Sequence, residues 1–272
     1  MSDSLTSPHV AVTLGFCTAD ITKDADFLAN IKEKSTTDLE IIPKQGYTCL
    51  TKPYNEVIKE AKNNTIILCH NDINILTKGF DKIILDLFEK HPTYGIIGVV
   101  GSNAWNGGGW MGNFTWKGTG YCKPQPLGTL IQYNKYKPMG DIVPKWILFA
   151  PKFRDNDLVP ACCCDGMFIA FRRDRIKEKF DECLHGFHFY DVMFGVDNLV
   201  EGVHIGITYK LDICHYSDGL LSQAWHEDHL YSKFKYGDKC WYIPLPYGGQ
   251  QVILDYKGEK DLELIKRNLK IK

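Results

Sequence analysis

Four groups of residues have the types and spacing that chemistry needs. His70-Asn71-Asp72 follows directly on the apolar run TIILC at 65–69. A carboxylate at the end of a buried strand projects beyond the sheet, and Mg2+ and Mn2+ take oxygen ligands of this kind while bridging to substrate phosphates. The same Asp is equally suited to capping a helix. The second group, Gly186-Phe187-His188-Phe189-Tyr190-Asp191, crowds aromatic rings around a His and an Asp. Sugar rings stack on aromatic faces, and the adjoining carboxylate is placed to accept a hydroxyl proton. The competing structural reading makes Asp191 the N-cap of a helix beginning at Val192, with the aromatics in the core. Third, Asp165-Gly166 interrupts an apolar stretch at 161–171. A carboxylate there is costly to bury unpaired, and a glycine beside it admits a ligand or another backbone. Fourth, His215 follows the short run 211–214, and a distant histidine can complete a metal site begun by Asp72.

Two further patterns are set aside. His226-Glu227-Asp228-His229 lacks the HExxH spacing of a zinc helix and reads as a solvated helix face. Gly107-Gly108-Gly109 has no following Gly-Lys-Ser/Thr, so it is not a phosphate loop, and no GxGxxG follows a strand.

The elements that must position these groups alternate. Residues 9–17, 39–43, 65–69 and 94–100 read as strands, being apolar and β-branched. Residues 24–34, 54–62 and 80–90 carry apolar side chains at helical spacing. This alternation predicts a mainly parallel central sheet flanked by helices, an α/β fold. Ligands of such sheets bind beyond the carboxyl ends of the strands, which is where Cys17, Cys69 and Val100 end their runs. Residues 101–120, rich in Gly, Trp and Asn, read as a long functional loop. Beyond it, strands are expected at 129–133, 146–150, 161–171 and 204–209, and a helix at 191–200. The segment 261–272 is short and amphipathic.

With 272 residues, 44% hydrophobic and 24% charged, the chain has the size and composition of a globular domain that folds without staples. A net charge of −1 argues against a general nucleic-acid binder. The ten cysteines contain no CxxC pair, and Cys162, Cys163 and Cys164 are consecutive. They read as reduced thiols serving as small hydrophobes. A polar start and the lack of an apolar run of about eighteen residues point to a cytoplasmic protein, with at most peripheral membrane contact through Lys266, Arg267, Lys270 and Lys272.

The order of the motifs resembles a known family. Residues 54–75 (YNEVIKEAKNNTIILCHNDINI) are similar to the helix-strand-DxD passage of family 2 glycosyltransferases, with His70 in the first position of the motif. IIGVVGSNAWNGGGWMG, CDGMFIAFRRD, FDECLHGFHFYDVMF and ICHYSDG resemble a mainly microbial and viral subgroup of GT-A glycosyltransferases, over roughly residues 10–219.

That resemblance implies a GT-A fold, a UDP- or GDP-linked sugar donor, a glycan or lipid-linked acceptor, Mn2+ or Mg2+, and an inverting displacement. It makes Asp72 a ligand of the metal that bridges the donor diphosphate, His215 a second ligand and His70 a further candidate. Asp191 aligns with the general base. Asn71, Asp165 and Gly166 fall on the donor side, and Phe16, Thr18 and Asp20 near the nucleotide. Trp105, Trp110, His188 and Tyr190 fall on the acceptor side, the two tryptophans on a loop over it. Residues 1–245 form the expected catalytic domain, with 246–272 a tail packed on it. A non-catalytic nucleotide-sugar or carbohydrate-binding module on the same fold is the alternative, and a metal-dependent hydrolase a third reading.

Overall fold

The computed structural model describes residues 11–105, 126–133, 146–149, 155–217, 223–236, 241–243 and 252–254. The expected alternation is present in the first hundred residues. It runs β1 (Ala11–Thr18), α1 (Ala25–Lys34), β2 (Asp38–Gln45), α2 (Thr51–Glu60), β3 (Thr65–Cys69), β4 (Ile73–Ile75), α3 (Phe80–Lys90) and β5 (Tyr94–Gly98). Short strands follow: β6 (Val100–Ser102), β7 (Ala104–Trp105), β8 (Pro126–Gly128), β9 (Leu130–Tyr133) and β10 (Trp146–Phe149). The remainder is β11 (Val159–Ala161), β12 (Cys163–Cys164), β13 (Phe168–Arg172), α4 (Tyr190–Val200), β14 (His204–Ile207), β15 (Ile213–Tyr216), α5 (Gln223–Tyr236), β16 (Trp241–Tyr242) and β17 (Val252–Leu254).

Seven strands form the central sheet in the order β11-β14-β5-β13-β3-β1-β2. β1 is parallel to β2 and β3, and β14 is parallel to β5. β13 is inserted antiparallel between β3 and β5, so the sheet is mixed. Because β3 is buried on both faces, its residues divide by the period of two between two cores. Ile66 and Leu68 join Tyr54, Val57, Phe194 and Val196 of α2 and α4 on one side. Ile67 and Cys69 join Phe27, Ile31, Ile84 and Phe88 of α1 and α3 on the other. Each fully buried Leu, Ile or Phe contributes about 1.5–3 kcal/mol of hydrophobic stabilisation. A second sheet, β17-β10-β9-β15-β4, carries the later strands beside the first.

Two expectations are corrected here. The apolar stretch 161–171 is not one strand. Asp165-Gly166 sits in a turn between β12 and β13, where the buried Asp165 Oδ1 accepts from Met167 N–H at 2.9 Å. The start of the 101–120 segment is strand rather than loop, because β6 pairs with β12 and β7 pairs with β16. Trp110, the glycines at 107–109 and the tail 261–272 lie outside the described residues. Cys162, Cys163 and Cys164 are all fully buried, as small hydrophobes would be. No helix among the described residues is long and apolar enough to cross a membrane.

Candidate functional site

The carboxyl end of β3 is where the separate sequence motifs meet. Antiparallel insertion of β13 aligns Phe168 with Cys69, so the Asp165-Gly166 turn lies beside His70, whose N–H donates to Met167 O at 3.1 Å. β15 runs antiparallel to β4 with His215 opposite Ile73, and Tyr216 N–H donates to Asp72 O at 2.8 Å. Residues 145 positions apart are thereby brought into contact.

Three ligand atoms converge. Asp72 Oδ1 lies 3.3 Å from His215 Nε2 and 3.8 Å from His70 Nδ1, and the two ring nitrogens are 3.4 Å apart. A triangle of these sides has its centre about 2.0 Å from each corner, which is the bond length of a divalent transition metal to nitrogen or carboxylate oxygen. The three side chains are 13–26% exposed, and Asp72 Oδ1 itself is turned inward to the point where the three meet. Burial lowers the His70 pKa, Asp72 opposes that shift, and His215 adds to it. The neutral imidazole so favoured is the form that binds metal. This donor set fits a divalent cation.

The second half of the site is a pair of buried carboxylates. Asp191, in the first turn of α4, accepts from Gly166 N–H at 2.7 Å through Oδ2 and from Val192 N–H at 2.8 Å through Oδ1. Burial, then the nearby Asp165, push its carboxyl up to about 7, against the pull of those backbone donors. Asp191 is not the N-cap of α4. That position is Phe189, whose backbone is left-handed at φ 61. Such a conformation costs a bulky residue of order 1–3 kcal/mol, and the stacking of its ring on His229, 5.6 Å away, holds it there. The kink turns Tyr190 and Asp191 inward.

Tyr190 occupies a different place from the one expected. It is 2% exposed, packed against Tyr54 and Phe180, and its hydroxyl lies 2.8 Å from His70 Nε2. It supports the cluster from below instead of offering a face to an acceptor. Its hydroxyl also rests on Gly166, where any Cβ would overlap it. Glycine is therefore required there by close approach, as the sequence suggested, but the approaching group is a tyrosine side chain.

Of the remaining expected residues, Thr18 and Asp20 lie at the same sheet edge, since β1 and β3 are in register up to Phe16 and Cys69. Thr18 Oγ1 accepts from Asp20 N–H at 3.1 Å, and Asp20 caps the turn Ile21–Lys23. Asn71 donates to Asp24 Oδ1 at 2.8 Å, fixing the β3 loop to the start of α1. His188 is half-buried and its pKa is lowered by burial. Phe16 is a correction: it is fully buried against Phe27, so it is a core residue and presents no face to a nucleotide. Trp105 is a second: it is fully buried, stacked on Trp241 at 5.6 Å and edge-on to Tyr236, so it is no loop residue. In the His226–His229 run, His226 and Glu227 are exposed as expected, whereas Asp228 is buried and receives the His185 N–H. Sequence reasoning missed Gln132, which bonds His215 Nδ1 at 3.0 Å. Its signal was a lone amide within the apolar strand LIQY.

The glycosyltransferase like family matches residues 21–236, a span that contains the whole cluster and both carboxylates. No match is found among curated protein sequences. Among solved structures, the chain is similar to GalNAc-T7 with UDP, GalNAc and Mn2+, at 8% identity and a TM-score of 0.51, covering 85% of this chain and 49% of that one. It also matches a mannosyltransferase, PcManGT from Pyrobaculum calidifontis, in complex with GDP-Man and Mn2+, at 11% identity and a TM-score of 0.45, covering 82% and 63%. A third match is A197 from STIV, at 11% identity and a TM-score of 0.39, covering 86% and 94%. The chain thus spans about half the length of GalNAc-T7. The fold is that of the GT-A glycosyltransferases.

Proposed function

Since this chain belongs to the glycosyltransferase like family, we propose that it moves a sugar from a UDP- or GDP-linked donor to a hydroxyl of a glycan or lipid-linked acceptor, with inversion. The observation that carries the proposal is the convergence of Asp72, His70 and His215 on one cation-sized point at the carboxyl edge of the sheet. Two imidazoles and one carboxylate suit Mn2+ better than Mg2+, which favours oxygen ligands throughout. When bound, the cation neutralises charge on the departing nucleoside diphosphate.

The chain's own residues supply the rest. Asp72, Asn71 and His70 sit on a loop tied to β13 and to α1, so their geometry is fixed before substrate arrives. Asp191 takes the acceptor hydroxyl proton as the oxygen attacks the anomeric carbon and the diphosphate leaves with the bonding pair. A base raised toward neutrality by burial is matched to that task, because it is strong enough to accept the proton and still ionised near neutral pH. A single in-line displacement gives inversion and needs no protein nucleophile. Asp165 keeps the Asp191 carboxyl basic and lines the donor side with Gly166. His188 lines the acceptor side. The catalytic domain extends through residues 1–245, with 246–272 as its tail.

The test is nucleotide release from a panel of UDP- and GDP-sugars with Mn2+ and simple sugar acceptors. Release should fall about 100-fold or more in Asp191→Asn, in line with the loss of a general base. Full turnover by that variant removes Asp191 from the mechanism. Tight nucleotide binding without release under any metal favours the binding-module reading.

A further inference from the structure

Gln132 stands in no motif, yet its side chain bonds the cluster directly, at His215 Nδ1. β9 and β15 pair in parallel with Gln132 aligned to His215, so both side chains emerge on the same face. Gln132 is 6% exposed. Its Nε2 donates to Ser217 O at 2.6 Å and to Tyr133 O at 3.4 Å. Reversing the amide would turn its oxygen toward two carbonyl oxygens, so the orientation is settled by the backbone of β9 and of the residue following β15. Oε1 therefore faces His215 Nδ1 at 3.0 Å. An amide oxygen only accepts, so Nδ1 must carry a proton, and in the neutral ring Nε2 is then bare.

Nε2 is the atom aimed at Asp72 Oδ1 and at His70 Nδ1. Opposite it, the Tyr190 hydroxyl engages the outer nitrogen of His70. Each imidazole thus has its outer nitrogen tied and its inner nitrogen turned to the common point. With Nδ1 committed to Gln132, Nε2 is the nitrogen left to meet a ligand, and it lies 3.3 Å from Asp72 Oδ1, a spacing that a cation between the two would bridge.

We propose that Gln132 is a positioning residue of the cation centre: it fixes the tautomer and ring plane of His215 so that Nε2 presents its lone pair to the ion. The inference rests on the cation reading given above. It is tested on the full chain with Mn2+ alone, without donor, by electron paramagnetic resonance of the free ion. Gln132→Met keeps length and apolar packing but removes the acceptor, and should weaken Mn2+ binding about 10–100-fold. Gln132→Glu keeps an acceptor at Nδ1 but sets its second oxygen against Ser217 O, so it should recover part of that loss. Long-range proton–nitrogen spectra of the wild type should show His215 protonated at Nδ1 and bare at Nε2, a readout that needs neither variant to fold. Wild-type His215 protonated at Nε2, or Mn2+ bound as tightly by Gln132→Met as by wild type, overturns the inference alone. If the wild type binds no Mn2+, the cation reading fails and takes the inference with it.

Discussion

Asp191→Asn separates two accounts of the same carboxylate by the sign of a pH dependence. In the native chain its pKa rises from 3.8 to about 7, chiefly through burial and then through Asp165. The folded state therefore holds a proton that the unfolded state releases, and stability must fall as pH rises across that window. The full span corresponds to about 4 kcal/mol, of which about two thirds falls between pH 5 and 8. Water penetration and relaxation around a group coupled to Asp165 bring the expected change to about 2 kcal/mol. Asparagine cannot titrate, so the variant lacks this slope. Its amide must also turn an NH2 toward the Gly166 or Val192 N–H, a pH-independent cost of about 1–3 kcal/mol. The assay is urea unfolding of both proteins at fixed ionic strength, without metal, in steps from about pH 5 to 8. The wild-type advantage over Asp191→Asn should shrink by about 2 kcal/mol across the series. An advantage that grows with pH would mean that the two backbone donors hold the carboxylate ionised, and would refute the burial argument. Parallel curves refute it as well.

Further expectations concern the same region. Turnover should rise about tenfold per pH unit below about 7 and level off above it, because the ionised Asp191 is the active form; a profile flat from pH 5 to 8 contradicts this. Gly166→Ala drives a methyl into the Tyr190 hydroxyl and ring edge and should cost about 1–3 kcal/mol in urea unfolding, with a smaller added cost when Tyr190 is already replaced by the shorter leucine (Tyr190→Leu). Mn2+ at a hundred times its dissociation constant should add about 2.7 kcal/mol to wild-type stability and almost nothing to Asp72→Ala, as read by thermal melting. Trp105→Ala should cost about 3–5 kcal/mol, since its ring is wholly buried between Trp241 and Tyr236. A small cost there would return Trp105 to an exposed, ligand-facing role.

The early elements were legible because each carries its own period. TIILC and the helix at 80–90 have the bounds expected of them, as hydrophobic patterning and sheet burial act locally. His70, Asp72, Asp165, Asp191 and His215 stood out because a polar group beside an apolar run must have a partner. Burial itself was harder to read. Phe16 and Trp105 are apolar residues next to polar ones, and whether such a ring is exposed depends on what packs above it. For Phe16 that is α1, the first α-helix after its strand, and for Trp105 it is β16 and α5, elements far along the chain.

What the chain alone determined is the inventory: an α/β order of elements, a carboxylate after β3, a second carboxylate pair, and histidines able to join them. Which of these touch was decided by topology. The antiparallel entry of β13 beside β3 sets Asp165-Gly166 next to His70, and the parallel pairing of β9 with β15 sets Gln132 on His215. Strand order and register are long-range choices, made by the mutual burial of whole faces, and no local pattern of residues encodes the 3.0 Å contact that results.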